Sequence, residues 1–393
     1  MISDKNKKRV SKRVGQIEIS ATKEMPIVAA KVGGCVSLGQ GIPSFATPKH
    51  ITEAVCHALQ GDAAIGKYSL QTGMPELRRE IARTLKREQG IDRDPESEIL
   101  VTVGGMEALV CAILTLVERG DEVLMPSPTY ASHVEQVLLA EGVPVMVPLR
   151  TEDWGLDLEA LDRAVTPRTR LVVICNPSNP TGAVFSDADM QALGELALRH
   201  NLIIISDETY DSIVFDIPRP RSLAADPRFR EHVISVASFS KKYALTGWRV
   251  GWLSASADWM EQIMKVHDAS AICAPTPAQV AALAALQGPS ECAEAMRLEL
   301  HKRRDLCCRR LDDLADFFSY VKPQGAFYVM PRYLFSNAPS KDVALQILHE
   351  ARVITIPGCT FGAAGEGHLR FSFGGDEAEI NEAFDRIEKW LKP

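Results

Sequence analysis

The sequence predicts an α/β fold, a mostly parallel seven-stranded sheet in a large domain, joined to a smaller α+β domain. Three observations predict it. Seven short runs rich in Val, Ile and Leu fall between residues 99 and 254. Helical patterns intervene between several of them, as at Asp187–Arg199, which is how βαβ units read. Beyond residue 285 the pattern changes to a long charged helix, strand-like pieces and a terminal helix.

At 393 residues the chain exceeds a typical single domain. The expected division is an N-terminal arm with part of the small domain (1–46), a large domain (47–285) and a small C-terminal domain (286–393). An apolar content of 46%, a charged content of 24% and a net charge of −7 describe an ordinary soluble protein, without the basic face that nucleic acid or an anionic membrane needs. No run is long and apolar enough to span a bilayer. Nine cysteines are scattered without paired zinc spacing, so no metal site is expected and reduced thiols in a cytoplasmic setting are the simplest reading. The basic start (Lys5, Lys7, Lys8, Arg9, Lys12, Arg13) lacks the apolar core of a signal peptide and reads as a frayed arm.

Taken in order, residues 15–35 show no firm period, although Ile17, Ile19, Met25, Ile27 and Val28 are apolar. Gly39-Gln40-Gly41-Ile42-Pro43 is a plain turn or a close approach to a ligand. Thr47-Pro48 reads as an N-cap and first helical position, for a helix reaching Leu59. Pro75 opens an amphipathic helix with Leu77, Ile81 and Leu85 on one face.

Ile99–Val103 is the first strand of the sheet. Gly104-Gly105-Met106-Glu107 then leads into a helix, a turn that can cradle an anion on free N–H groups and the positive dipole end. Glu122–Pro126 precedes Ser127-Pro128-Thr129-Tyr130, and Val143–Pro148 is the third strand. Leu171–Cys175 ends in Asn176-Pro177-Ser178-Asn179-Pro180-Thr181-Gly182, a rigid loop on turn chemistry alone. Leu202–Ser206 delivers Asp207 at the carboxyl end of a strand, where ligands collect in open α/β sheets.

Val233–Ala237 runs into Ser238-Phe239-Ser240-Lys241-Lys242, and Thr246-Gly247-Trp248-Arg249 precedes the seventh strand, Val250–Ser254. A lysine just past a strand end, among hydroxyls and with a second cation eight residues on, suggests an amine beside a bound anion, able to form a Schiff base with an aldehyde. The residues alone equally allow Lys241 and Lys242 to be a solvated surface pair. Further on come a helix over Glu291–Phe317, a strand over Gly325–Met330 and a helix over Lys341–Glu350. Arg370 then stands in an alternating apolar strand, where an arginine needs a partner.

The Ser-x-Ser-Lys and Thr-Gly-Trp-Arg pieces, with Asn-Pro-x-Asn-Pro-Thr-Gly upstream, resemble the signatures of class I/II aminotransferases, enzymes of pyridoxal 5'-phosphate (PLP) fold type I and closest in wording to the I-gamma aspartate, aromatic and kynurenine group. The resemblance runs from Val36 to Gly374, with at least six motifs in family order. It implies that Lys241 carries PLP as a Schiff base and is the catalytic base. It further implies that Ser238, Arg249 and the amides of Gly105 and Met106 hold the cofactor phosphate, and that the Tyr130 ring stacks on the pyridine. Asn179 and Tyr210 would bond the cofactor's phenolic oxygen, and Asp207 would keep the ring nitrogen protonated. Gly41 and Arg370 would receive the substrate α-carboxylate, with Asn179 beside them. Tyr68, five residues before Gly73, would reach across a homodimer to the partner's phosphate.

The resemblance thus implies a transaminase acting on an amino acid and a 2-oxo acid. I-gamma aspartate enzymes often carry a lysine where this chain has Met106. That departure favours methionine, aromatic or other apolar substrates over aspartate. The alternatives are an aspartate-preferring enzyme and a carbon–sulfur β-lyase on the same fold. A PLP-sensing regulator would need a basic DNA-binding domain, for which fewer than forty residues precede Gly39.

Overall fold

The structure is a computed structural model and describes residues 9–18 and 20–392. Lys5, Lys7, Lys8 and Ile19 lie outside the described residues; Arg9, Lys12 and Arg13 are exposed, and Lys12–Gly15 forms one helical turn. All seven expected strands pair into one sheet. They are β2 (Ile99–Thr102), β3 (Glu122–Ser127), β4 (Val143–Pro148), β5 (Thr169–Cys175), β6 (Ile203–Asp207), β7 (Val233–Ser238) and β8 (Gly251–Ser254), after a short β1 (Val36–Ser37) elsewhere. The spatial order is β2-β8-β7-β6-β5-β3-β4, and only β8 runs antiparallel to its neighbours.

Near-continuous apolar strands of this kind are buried on both faces. Val172 and Ile174 pack into one core with Ile99, Leu124 and Ile204, whereas Leu171 and Val173 pack into the other with Leu100, Val123 and Ile205. The chain turns back at β3: β4 lies on one side of it and β5 on the other. At such a switch the loops past the carboxyl ends leave a crevice. Because β8 is antiparallel, its starting end lies at that same rim, so the residues just before Gly251 arrive beside those just after Ser238.

A third core unites the C-terminal elements with the N-terminal segment. Met25 and Leu38 pack there with Phe327, Val329, Phe371 and Phe384, and Tyr210 and Phe215 join them from the sheet side. Its short strands are β9 (Phe318–Ser319), β10 (Tyr328–Val329), β11 (Arg332–Tyr333), β12 (Val353–Ile354), β13 (Ile356–Pro357) and β14 (Leu369–Ser372). They pair as β1-β12, β10-β14-β13 and β11-β9.

Several expectations need correction. Residues 21–32 are a helix, whose buried positions Ala21, Met25 and Ala29 recur every fourth residue. Pro26 inside it and Gly33 after it broke the pattern. Thr47 caps nothing: the helix starts at Lys49, and the Thr47 hydroxyl donates to the Ala244 carbonyl at 3.2 Å and accepts from Trp248 Nε1 at 3.1 Å. It pins the loop between Lys241 and Arg249. The strand expected from Gly325 begins only at Tyr328, because Gly325 and Ala326 donate to Gly182 and Ile213 instead. The long helix stops at Asp312, and the one after Pro339 runs from Ser340 to Gln346 before a wider turn, Ile347–Ala351.

Candidate active site

At the carboxyl rim of the sheet lies a cavity of about 530 Å³. Gly41, Gly105, Met106, Tyr130, Asn179, Asp207, Tyr210, Ser238, Lys241, Arg249 and Arg370 all line it; of the expected site residues only Tyr68 does not. Tyr68 is 78% exposed.

Lys241 sits in the single helical turn Phe239–Lys242 that closes β7, and the Ser238 hydroxyl caps that turn by accepting from the Ser240 amide at 3.1 Å. The turn sends the two lysines to different places. Lys241 Nζ enters the cavity and donates to the Gly41 carbonyl at 2.5 Å. Burial, followed by the charges of Arg370 and Arg249, lowers its pKa to about 8 against the opposing pull of Asp207. Lys242 turns away, 3.0 Å from Glu88, and Arg219 bridges Glu88 to Asp211. The larger cleft on that side, about 830 Å³, is also reached by Lys241, but its other charges, among them Glu88, Arg219, Lys242, Glu294 and Arg297, are already paired. An amine of lowered pKa in a cavity is a nucleophile; its salt-bridged neighbour is not.

The anion end is built from three elements. Gly104 starts the helix Gly104–Leu116 at φ 76°, a left-handed conformation, and a Cβ there would stand 2.6 Å from the Arg249 guanidinium. Arg249, also left-handed at φ 56°, donates to the Thr246 carbonyl at 2.8 Å. Ser238 closes the third side, with its Cβ 3.5 Å from where a Gly105 Cβ would be. Amides at a helix start, a hydroxyl and a guanidinium suit a phosphate.

Asp207 ends β6. Its Oδ1 accepts from the Thr209 amide and hydroxyl at 3.1 and 2.6 Å, and its Oδ2 lies 3.3 Å from Nε2 of His133. The carboxylate therefore closes its own turn and also faces the cavity. Tyr210 and Tyr328 meet hydroxyl to hydroxyl at 3.0 Å. Burial foremost, with Tyr328 adding to it, pushes the Tyr210 phenol up, so it stays a proton donor.

Arg370 is fully buried on β14. It donates from Nη1 to Asn179 Oδ1 at 3.1 Å and from Nη2 to the Gly39 carbonyl at 2.7 Å, over the rings of Tyr328 (4.5 Å) and Phe361 (5.1 Å). Among the described residues it pairs with no carboxylate, and its Nε has no partner. A buried guanidinium without a counter-ion is costly. One that also lines a cavity suits an anionic ligand.

His133, Tyr328, Thr209, Gln40 and Ile42 were not singled out in the sequence, nor were Thr22 and Pro26, which line the cavity from the N-terminal helix. A place in the first turn of a helix, six residues past the end of β3, is the only local signal for His133; its contact with Asp207 spans 74 residues. The residues present fit a ligand with a phosphate at one end, an aldehyde near Lys241 and a basic ring atom near Asp207.

A family model described as aminotransferase class I and II matches residues 34–387. An aromatic-amino-acid aminotransferase of Thermococcus litoralis is 37% identical over 98% of both chains, and an aspartate aminotransferase of Pyrococcus abyssi is also 37% identical over 98% of both. Among solved structures, the aromatic aminotransferase of Pyrococcus horikoshii is similar at TM-score 0.88, with 38% identity over 94% of this chain and 98% of that one. The Thermus thermophilus aspartate aminotransferase with maleate is similar at TM-score 0.91, with 34% identity over 97% and 99%. A fold of PLP type I, a lysine amine in the ligand cavity and this likeness along the whole chain agree: the protein belongs to the class I and II aminotransferases, PLP-dependent transaminases.

Proposed function

We propose that the enzyme moves an amino group from an apolar, aromatic or methionine-like L-amino acid to a 2-oxo acid. The observation that carries this is the cation inventory of the cavity. Its three cations are Lys241, Arg249 and Arg370, each already committed to one role, while Met106, Leu109, Ile42 and Pro26 line the rest. Among the described residues no further cation lines the cavity to meet a side-chain carboxylate.

In this reading Lys241 Nζ would hold PLP, Ser238, Arg249 and the Gly105 and Met106 amides would hold its phosphate, Tyr130 would flank its ring, and the Asp207 carboxylate would accept the ring N–H. When bound, PLP supplies an electron-withdrawing ring that takes up negative charge from the substrate Cα. Arg370 receives the α-carboxylate in a fork, with Asn179 Oδ1 fixing its plane. Lys241 would also be the base that takes the Cα proton on Nζ and returns it, a role suited to an amine whose pKa is lowered to about 8. Tyr210, held by Tyr328 at 3.0 Å, would donate a hydrogen bond from its phenol to the ring oxygen. Exposed Tyr68 reaches the phosphate of a second copy in a homodimer, in a cytoplasmic enzyme; no helix among the described residues is long and apolar enough to cross a membrane.

The test is a single-turnover titration of the holoenzyme with methionine, phenylalanine and aspartate in turn. Faster conversion to the pyridoxamine form by the first two supports the reading. Preference for aspartate overturns it in favour of the second reading, which the aspartate-named relatives favour and which requires the partner copy to supply a cation. Ammonia release without net conversion points to lyase chemistry. Met106→Lys should raise kcat/KM for aspartate relative to phenylalanine by about tenfold, the scale of one added ion pair.

A further inference from the structure

His267 is fully buried between the helix that starts at Gly104 and the loop that carries Tyr68. Its Nε2 lies 3.0 Å from the Gln71 carbonyl oxygen, and its Nδ1 lies 2.6 Å from Oε1 of Glu107. A carbonyl only accepts, so Nε2 carries a proton. Nδ1 of a neutral ring would then need a donor, and it faces a carboxyl group. Burial pushes the Glu107 carboxyl up, but the His267 hydrogen bond and charge and the Val103 N–H outweigh it and hold the group below its usual range. A 2.6 Å contact between Nδ1 and a carboxyl oxygen needs one proton between them, and with that proton the pair carries no net charge. Cys111 donates to the same Oε1 at 3.2 Å, and burial, then the Glu107 charge, drives its thiol well above the usual range. A protonated thiol and a ring committed at both nitrogens form a hydrogen-bonded cluster rather than a metal ligand set.

The other oxygen of Glu107 accepts the Val103 N–H at 2.8 Å, one residue before Gly104. A carboxylate in the first turn favours the helix itself. Unbalanced, it also repels any dianion bound at the same N-terminus. We propose that His267 is a positioning residue for the cofactor phosphate: the proton it shares with Glu107 cancels that carboxylate's charge beside the Gly104–Gly105 cradle, and its Nε2 ties the Tyr68 loop to the same helix. The inference rests on the assignment of the phosphate to Gly105, Met106, Ser238 and Arg249.

The decisive quantity is the ratio of the dissociation constants of pyridoxal and PLP, which isolates the phosphate. It is measured by release from the reconstituted enzyme for the wild type, His267→Gln, Glu107→Gln and the double variant. His267→Gln leaves the Glu107 charge unopposed and should lower the ratio by roughly tenfold or more. The double variant carries no charge at either position and should return to within about threefold of wild type. Glu107→Gln removes the carboxylate and should stay within about threefold of wild type; His267→Asn, also without a proton to share, takes the place of His267→Gln if that variant does not fold. A ratio unchanged in the His267 variant overturns the inference, as does a double variant that falls as far as His267→Gln. A wild type that binds pyridoxal as tightly as PLP overturns the phosphate assignment itself.

Discussion

Nε2 of His133 stands 3.3 Å from Oδ2 of Asp207, with the imidazole wholly buried. Oδ1 of the same carboxylate is held by Thr209, so the aspartate is gripped on both sides before it meets any ligand. Asp207→Asn removes the charge but keeps the shape, and activity should fall by roughly 10²–10⁴-fold, the range of a lost acid–base partner. His133→Ala should cost about 10- to 100-fold, as for other residues that orient a buried ligand group. Steady-state kcat for both variants checks the ordering; a His133 variant worse than Asp207→Asn would reverse the roles.

The two adjacent lysines separate in a pH experiment. With its pKa near 8, the neutral fraction of Lys241 grows as pH rises through that value and is nearly complete by pH 9. The rate at which the apoenzyme captures PLP, fixed by borohydride, should rise roughly fivefold from pH 7 to 8 and then level off, where an ordinary lysine would keep climbing past pH 10. Lys241→Ala should capture nothing at any pH. Lys242→Ala should capture PLP normally, because Lys242 is engaged by Glu88.

Arg370→Lys keeps the charge and loses the fork. KM for both substrates should rise by about 100-fold with a smaller change in kcat, since a point charge cannot reproduce two parallel N–H donors. An equal fall in kcat with unchanged KM would place Arg370 outside substrate binding.

Glu208, next to Asp207, points away from the cavity and accepts from the Ser222 hydroxyl at 2.6 Å. Burial foremost pushes its carboxyl up to about 7. The folded value lies above the unfolded one, so this group's stabilising contribution is complete below pH 4.5 and is lost as pH rises through 7. Glu208→Gln should therefore be more stable than wild type at pH 8, by up to ~3 kcal/mol, and nearly equal to it at pH 4.5. Denaturant midpoints at the two pH values check the sign.

The sheet was legible because each strand carries its own signal, a short apolar run that ends in turn residues. The strand ends themselves located a rim where ligands collect, but the roles of the residues there came from the resemblance of their motifs, since the residues alone also allowed a solvated lysine pair and a rigid turn. The helix over residues 21–32 was not legible, since it buries only Ala21, Met25 and Ala29 and contains Pro26. Thr47 was misread because its local neighbours match an N-cap, while its actual partners, Ala244 and Trp248, lie about two hundred residues away. His133 and His267 share that difficulty. Their roles exist only in contacts with Asp207 and Glu107, 74 and 160 residues distant, and a lone histidine on a helix announces neither.

The pairing of Ser238 with Gly251 closes residues 239–250 into a loop anchored at both ends in the sheet. Lys241 hangs from one arm and Arg249 from the other, and Thr47 fastens the span between them. The separation of amine and guanidinium is thus set by the length of this pinned span, like the jaws of a caliper. One inserted or deleted residue in this span would move the jaws relative to each other and flip the facing of whatever follows. Length variation among functional variants of this enzyme should accordingly stop at Ser238 and resume only after Ser254.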